Sequence, residues 1–170
     1  MGFLMKKTVF LFVFICICLS GKTFAQDKLT ADVQILDGEK TNLSDLYSKG
    51  PLLVNFWALW CQPCRTEMKS LKNLYEKYSG KGLTVLGVNQ DTPRSLAKVE
   101  SFVKSYDIPY PIALDPDKEL FEIFNGQVIP YSVLYNKEGR VIYKHTGYLP
   151  GDEIKIEEAI KEALGDTSEQ

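Results

Sequence analysis

Cys61 and Cys64 stand three positions apart in the stretch Trp57-Ala-Leu-Trp-Cys-Gln-Pro-Cys64-Arg-Thr-Glu67, and by type and spacing they are the residues best suited to do chemistry. If a helix opens at Cys61, the two sulfurs lie within bonding reach, so a disulfide can close and open without moving the backbone. The unsatisfied N–H groups and the positive dipole end of a helix N-terminus favour thiolate over thiol, which makes Cys61 the expected nucleophile. Cys64, one turn further in, is the shielded partner. Pro63 suits a first turn, where its missing N–H would have had no helical acceptor. Zinc would require a second Cys pair or a His pair, and His145 is the single histidine. A purely structural disulfide is the weaker alternative, because so small a loop constrains little unfolded-chain entropy.

The surrounding pattern supplies elements to position the pair. Leu52-Leu-Val-Asn-Phe-Trp-Ala58 reads as a strand covered on both faces, with Asn55 its one polar residue. After it the period changes: Cys64, Met68, Leu71, Tyr75 and Tyr78 form a helical stripe that ends before Gly80. Residues 83–88 read as a second buried strand and residues 96–106 as a second amphipathic helix. A short strand is expected over 110–114 and a helix over 118–124. Residues 131–135 and 140–147 read as a hairpin, and 156–164 as a closing helix. An early strand or hairpin is expected over 29–36, ending at Asp37-Gly38, with a helical turn at 43–47. Strands alternating with helices, followed by a hairpin and a helix, imply an α/β sandwich with a mixed sheet.

The 170 residues are 45% hydrophobic and 25% charged, with a formal charge of −2, which suits one ordinary packed core. Cations and anions are interspersed without a basic stripe in the sequence, so no nucleic-acid partner is expected. Lys6 and Lys7, the apolar run Val9–Leu19 and small residues near Ala25 read as a secretory signal peptide over 1–25, with an uncleaved anchor as the alternative. Residues 26–170 then form a single domain with seventeen cations against twenty-two anions, a net −5. Cys61 and Cys64 are its whole thiol inventory, in a compartment that permits disulfides.

These residues resemble the thioredoxin superfamily, and within it the exported TlpA/ResA-type thiol–disulfide oxidoreductases. The likeness rests on Trp57-Ala-Leu-Trp-Cys-Gln-Pro-Cys64, on Val128-Ile-Pro130 before a strand, on Gly147 and on the order of elements over about 28–165. It implies a thioredoxin-like three-layer sandwich, with an extra helix and strand at about 94–114 within the 36 residues from Thr92 to Gln127. It also implies a cis Pro130 beside the disulfide, where the backbone of Ile129 pairs with an extended substrate segment. Trp60, Gln62 and Pro63 are expected to border the substrate face; of Trp57 and Trp60, one is expected to pack beneath the site and the other to border that face. Where thioredoxin has a buried aspartate this chain has Asn55, which cannot titrate. Glu67 stands where the exported subgroup carries a glutamate. It is expected either to shuttle a proton for the cysteines or to be a solvent-facing first-turn acid. His145 is expected at an exposed or edge position without a catalytic part.

The expected activity is reduction of protein disulfides in the periplasm or on the outer face of the cytoplasmic membrane. No metal or organic cofactor is called for. The implied partners are disulfide-containing proteins, apocytochrome c among them, and a membrane thiol donor. The chain is expected to be a monomer. Two rivals stand beside this reading: a peroxiredoxin-like peroxidase, which would want a threonine where Ala58 is, and a non-catalytic module that holds extended chains at Pro130.

Overall fold

The computed structural model describes residues 30–166. The expected signal peptide and the apolar run within it lie outside the described residues. Among the described residues no helix is long and apolar enough to cross a membrane.

Among the described residues seven strands form one mixed sheet in the order β2-β1-β5-β4-β3-β6-β7. They are β1 (Asp32–Ile35), β2 (Lys40–Asn42), β3 (Leu52–Trp57), β4 (Thr84–Asn89), β5 (Ile112–Leu114), β6 (Tyr131–Tyr135) and β7 (Val141–Thr146). The helices are α1 (Leu43–Tyr47), α2 (Gln62–Tyr78), α3 (Leu96–Ser105), α4 (Glu119–Ile123) and α5 (Asp152–Leu164). The central strands β3, β4 and β5 run parallel to one another, as β–α–β connections through α2 and α3 require. β6 returns antiparallel against β3 and forms the terminal hairpin with β7.

β3 is buried along its whole length because helices cover both of its faces. Leu53 and Trp57 point toward one layer, where they pack with Met68, Leu71 and Leu74 of α2, Val99 ahead of Phe102 on α3, and Ile156 and Ile160 of α5. Leu52, Val54 and Phe56 point the other way, toward Leu43 and Tyr47 of α1, Leu120 and Phe121 of α4, and Phe124. The Phe56 ring sits 5.1 Å from Phe121 and 5.0 Å from Phe124, tilted or edge-on, the arrangement aromatic quadrupoles prefer. The result is the three-layer, thioredoxin-like sandwich that the sequence implies.

The helix and strand expected at 94–114 are present as α3 and β5, with β5 inserted between β4 and β1. β5 begins at Ile112 rather than Tyr110, since Pro111 has no N–H to give the ladder. A residue not singled out from sequence, Asp115, is buried and accepts from the N–H groups of Leu120 and Phe121 at 3.0 and 2.9 Å. Those are orphan donors of the first turn of α4, so Asp115 does a cap's work from outside the helix.

Candidate active site

α2 starts immediately after the buried strand, and Cys61 is its N-cap residue. The Cys64 N–H donates to Cys61 Sγ at 3.3 Å, so a first-turn donor that would otherwise be unsatisfied points at the sulfur. Cys61 and Cys64 form a disulfide with their Cα atoms 5.3 Å apart. Cys61 is 5% exposed and Cys64 is 0% exposed, which makes Cys61 the sulfur that an incoming group meets first. Gln62 and Pro63 are exposed on the rim. Trp60 is 70% exposed beside them, while Trp57 is fully buried.

The loop that presents the cysteines is pinned from β4. Asp91 accepts from the Leu59 N–H at 2.7 Å and from Asn89 Nδ2 at 2.9 Å, and its own N–H donates to Asn89 Oδ1. Gln90 N–H reaches back to the Trp57 carbonyl at 2.9 Å. Neither Asn89 nor Asp91 stood out in the sequence, because an Asx turn beside a strand end resembles any other loop signal.

Glu67 lies one helical turn beyond Cys64 and is 0% exposed, which excludes its solvent-facing alternative. The reason is registry. Asn55 of β3 and Ser132 of β6 are paired across the sheet, so both side chains rise on the face that α2 covers. Asn55 Nδ2 donates to Glu67 Oε2 at 2.8 Å, and Ser132 Oγ donates to Glu67 Oε1 at 3.0 Å. A third bond, Asn55 Nδ2 to Ser132 Oγ at 3.0 Å, closes the triangle. Burial pushes the Glu67 carboxyl up to about 7; the bonds from Ser132 and Asn55 pull it down, and the negative charge of Asp152 adds to the rise. A carboxyl poised there can hold or release a proton at neutral pH. Ser132 is two residues past Pro130, and its alternation on β6 is the one sequence signal that would have found it.

The Ile129–Pro130 peptide is cis. The Pro130 carbonyl accepts from Gly147 N–H at 2.8 Å, and Gly147 adopts a left-handed φ of 79° that glycine takes without a Cβ penalty. The N–H and C=O of Ile129 have no backbone partner among the described residues, and its half-buried side chain packs against both core clusters. An unpaired backbone segment of this kind suits strand addition by an extended chain.

His145 is on the edge strand β7, opposite Ser132, with Nε2 3.3 Å from Asp152 Oδ2. Tyr78 is buried and Tyr75 stacks edge-on with Tyr110 at 5.8 Å, so both tyrosines are packing residues. Among the described residues no group of three or more His, Cys, Asp or Glu is arranged to hold a metal ion.

Several known proteins are similar to this chain. A thiol–disulfide oxidoreductase ResA from Bacillus cereus is 38% identical over 112 residues, covering 66% of this chain and 63% of the relative, a little under two thirds of its length. A ResA from Bacillus thuringiensis subsp. konkukian is 36% identical over 128 residues, covering 74% of this chain and 70% of that one. Among solved structures, a Chlorobium tepidum protein provisionally named thiol:disulfide interchange protein DsbE superposes with a TM-score of 0.74 at 28% identity, over 81% of this chain and 95% of its own. The profile of the Redoxin family matches residues 22–160, so this chain belongs to the Redoxin family, beside the ResA-type thiol–disulfide oxidoreductases.

Proposed function

We propose that this chain is an exported protein thiol–disulfide oxidoreductase that works as a reductase. The observation that carries the reading is the Cys61–Cys64 disulfide at the mouth of α2, with a helix N–H on the outer sulfur and a neutral-range carboxyl behind the inner one. In the reduced chain the Cys61 thiolate attacks one sulfur of a substrate disulfide. That S–S bond breaks, a mixed disulfide forms, and the other substrate sulfur leaves as thiolate and takes up a proton. Glu67 carboxylate accepts the Cys64 proton, and the Cys64 thiolate attacks Cys61 Sγ. The mixed disulfide breaks, the second substrate sulfur leaves and is protonated, and two electrons have passed to the substrate. The chain is left with the Cys61–Cys64 disulfide, which a dithiol donor reduces again by the reverse exchange.

The unpaired Ile129 backbone beside Pro130, with Trp60, Gln62 and Pro63 on the rim, supports binding of an extended protein segment. Export through cleavage after Ala25, a membrane dithiol donor, apocytochrome c as substrate and a monomeric state belong to the same proposal. Across thioredoxin-fold proteins potentials run from about −270 mV to about −120 mV. Equilibrating the chain against glutathione and dithiothreitol buffers places it on that scale, and a value near the oxidising end reverses the direction. The peroxidase reading finds no support among the ResA relatives, and peroxide turnover matching insulin-disulfide reduction would revive it. A purely chain-holding module would keep its function in Cys61→Ser.

A further inference from the structure

We infer that the shallow groove between α3 and the cysteine loop docks an acidic segment of the protein whose disulfide Cys61 attacks; this rests on the proposed thiol exchange and names its partner's chemistry. The groove encloses about 550 Å³ and is lined by Leu59, Arg65, Lys98, Ser101, Phe102 and Tyr106 among others. Leu59 lies two residues before Cys61 and Arg65 follows Cys64, so one wall is the redox motif itself.

The charges nearest the cysteines are cationic. Arg65, Lys69 and Lys72 recur at steps of four and three along α2, which places them in one row on its surface. Lys69 Nζ sits 5.3 Å above the Tyr106 ring, Lys72 Nζ donates to the Tyr106 carbonyl at 3.3 Å, and Lys98 faces them from α3. Among the described residues none of these four cations has a carboxylate within 4.0 Å, whereas Lys77, Lys81 and Lys161 do. Arg65 Nη2 donates to the neutral Gln62 Oε1, so no carboxylate neutralises the guanidinium charge. Of the other acids on these elements, Glu67 is buried, Glu100 lines a separate groove with Val103 and Tyr110, and Asp91 is occupied by Leu59 and Asn89, while the exposed Glu76, one turn beyond Lys72, closes the cationic row at the end far from the cysteines.

The floor is aromatic. Phe102 lies 4.4 Å from Tyr106 and 5.4 Å from Trp57, so a ladder of rings joins the groove to the tryptophan beneath the cysteines. A basic, aromatic patch is unexpected on a domain whose residues 26–170 carry a net −5. The whole-chain field repels an acidic partner, so any preference for one must come from this groove.

The test uses the full chain, pre-reduced and freed of reductant, and three peptides with the same disulfide-bridged core and tails of glutamate, serine or lysine. The rate of chain oxidation is followed by tryptophan fluorescence. At low salt the glutamate-tailed peptide reacts about ten-fold faster than the lysine-tailed one, and the ratio closes toward one near about 0.5 M salt. The double variant Lys69→Glu with Lys98→Glu abolishes or inverts that ratio, while the charge-matched double control Lys49→Glu with Lys137→Glu, in the α1–β3 and β6–β7 turns, keeps it. Equal rates for the three peptides in the unmodified chain, or a preference that survives the double reversal, overturns the docking inference and leaves the oxidoreductase reading standing. No reaction with any peptide overturns that reading, and the inference with it.

Discussion

Asn55 Nδ2 donates to Glu67 Oε2 at 2.8 Å, tying the middle of the central strand to the helix that carries both cysteines. The residue that replaces an ionisable strand position is thus the partner of the ionisable helix position. The ionisable group of this pair sits on α2, and the amide on β3 donates to it. Asn55 also keeps a buried, unpartnered Oδ1, so it has an acceptor to spare when Glu67 carries its proton.

The thiol exchange predicts unequal cysteines. Cys61→Ser abolishes disulfide reduction, and Cys64→Ser accumulates a mixed disulfide through Cys61 that is visible by intact mass and on non-reducing gels. Accumulation through Cys64 in the Cys61→Ser variant instead would assign the roles the other way round.

Glu67 makes stability depend on pH with a definite sign. Below about pH 4.5 its carboxyl is protonated in folded and unfolded chains alike; between there and about 7 the unfolded chain gives up the proton while the folded chain keeps it. Stability is therefore lost as pH rises through that window, by on the order of 3 kcal/mol for a shift of this size. Glu67→Gln, neutral and nearly isosteric, removes that slope in urea titrations run from pH 4 to pH 8. It also removes an inflection near neutrality from the rate at which Cys64 resolves the mixed disulfide, a readout that a merely structural glutamate would not move.

Ser132→Ala removes a bond that holds the Glu67 pKa down, so the carboxyl titrates above its present value of about 7. Carbon-13 NMR of the side-chain carboxyl reads this directly. The stability cost is about 1–3 kcal/mol at pH 8, where the charged form loses a donor, and smaller at pH 5. An unchanged titration would show that Ser132 does not govern the proton.

Gly147→Ala places a Cβ on a left-handed residue, at a cost of about 1–2 kcal/mol in urea unfolding. The space around that Cβ is open, so the cost is conformational and no steric clash is added. A loss well above that range would point to a contact absent from this geometry.

The order of elements, the two-faced burial of β3, the cap position of Cys61 and the shielding of Cys64 were all legible along the chain, because each depends on local period and spacing. Residue 67 shows where that legibility ends. Its place one turn after Cys64 is a fact of helix geometry, but whether it meets water or sheet depends on how α2 is rotated against β3 and β6. Only the pairing of Asn55 with Ser132, residues 77 positions apart in the chain, puts two donors beneath it and brings its carboxyl to the neutral range. The basic groove was hidden for the same reason. Arg65 and Lys98 look interspersed with acids in sequence and come to line one groove beside the cysteines only in the folded chain. Short-range periodicity decided which residues form the elements, and tertiary packing decided which charges are left facing each other, because electrostatics acts through space across contacts that the chain order does not encode.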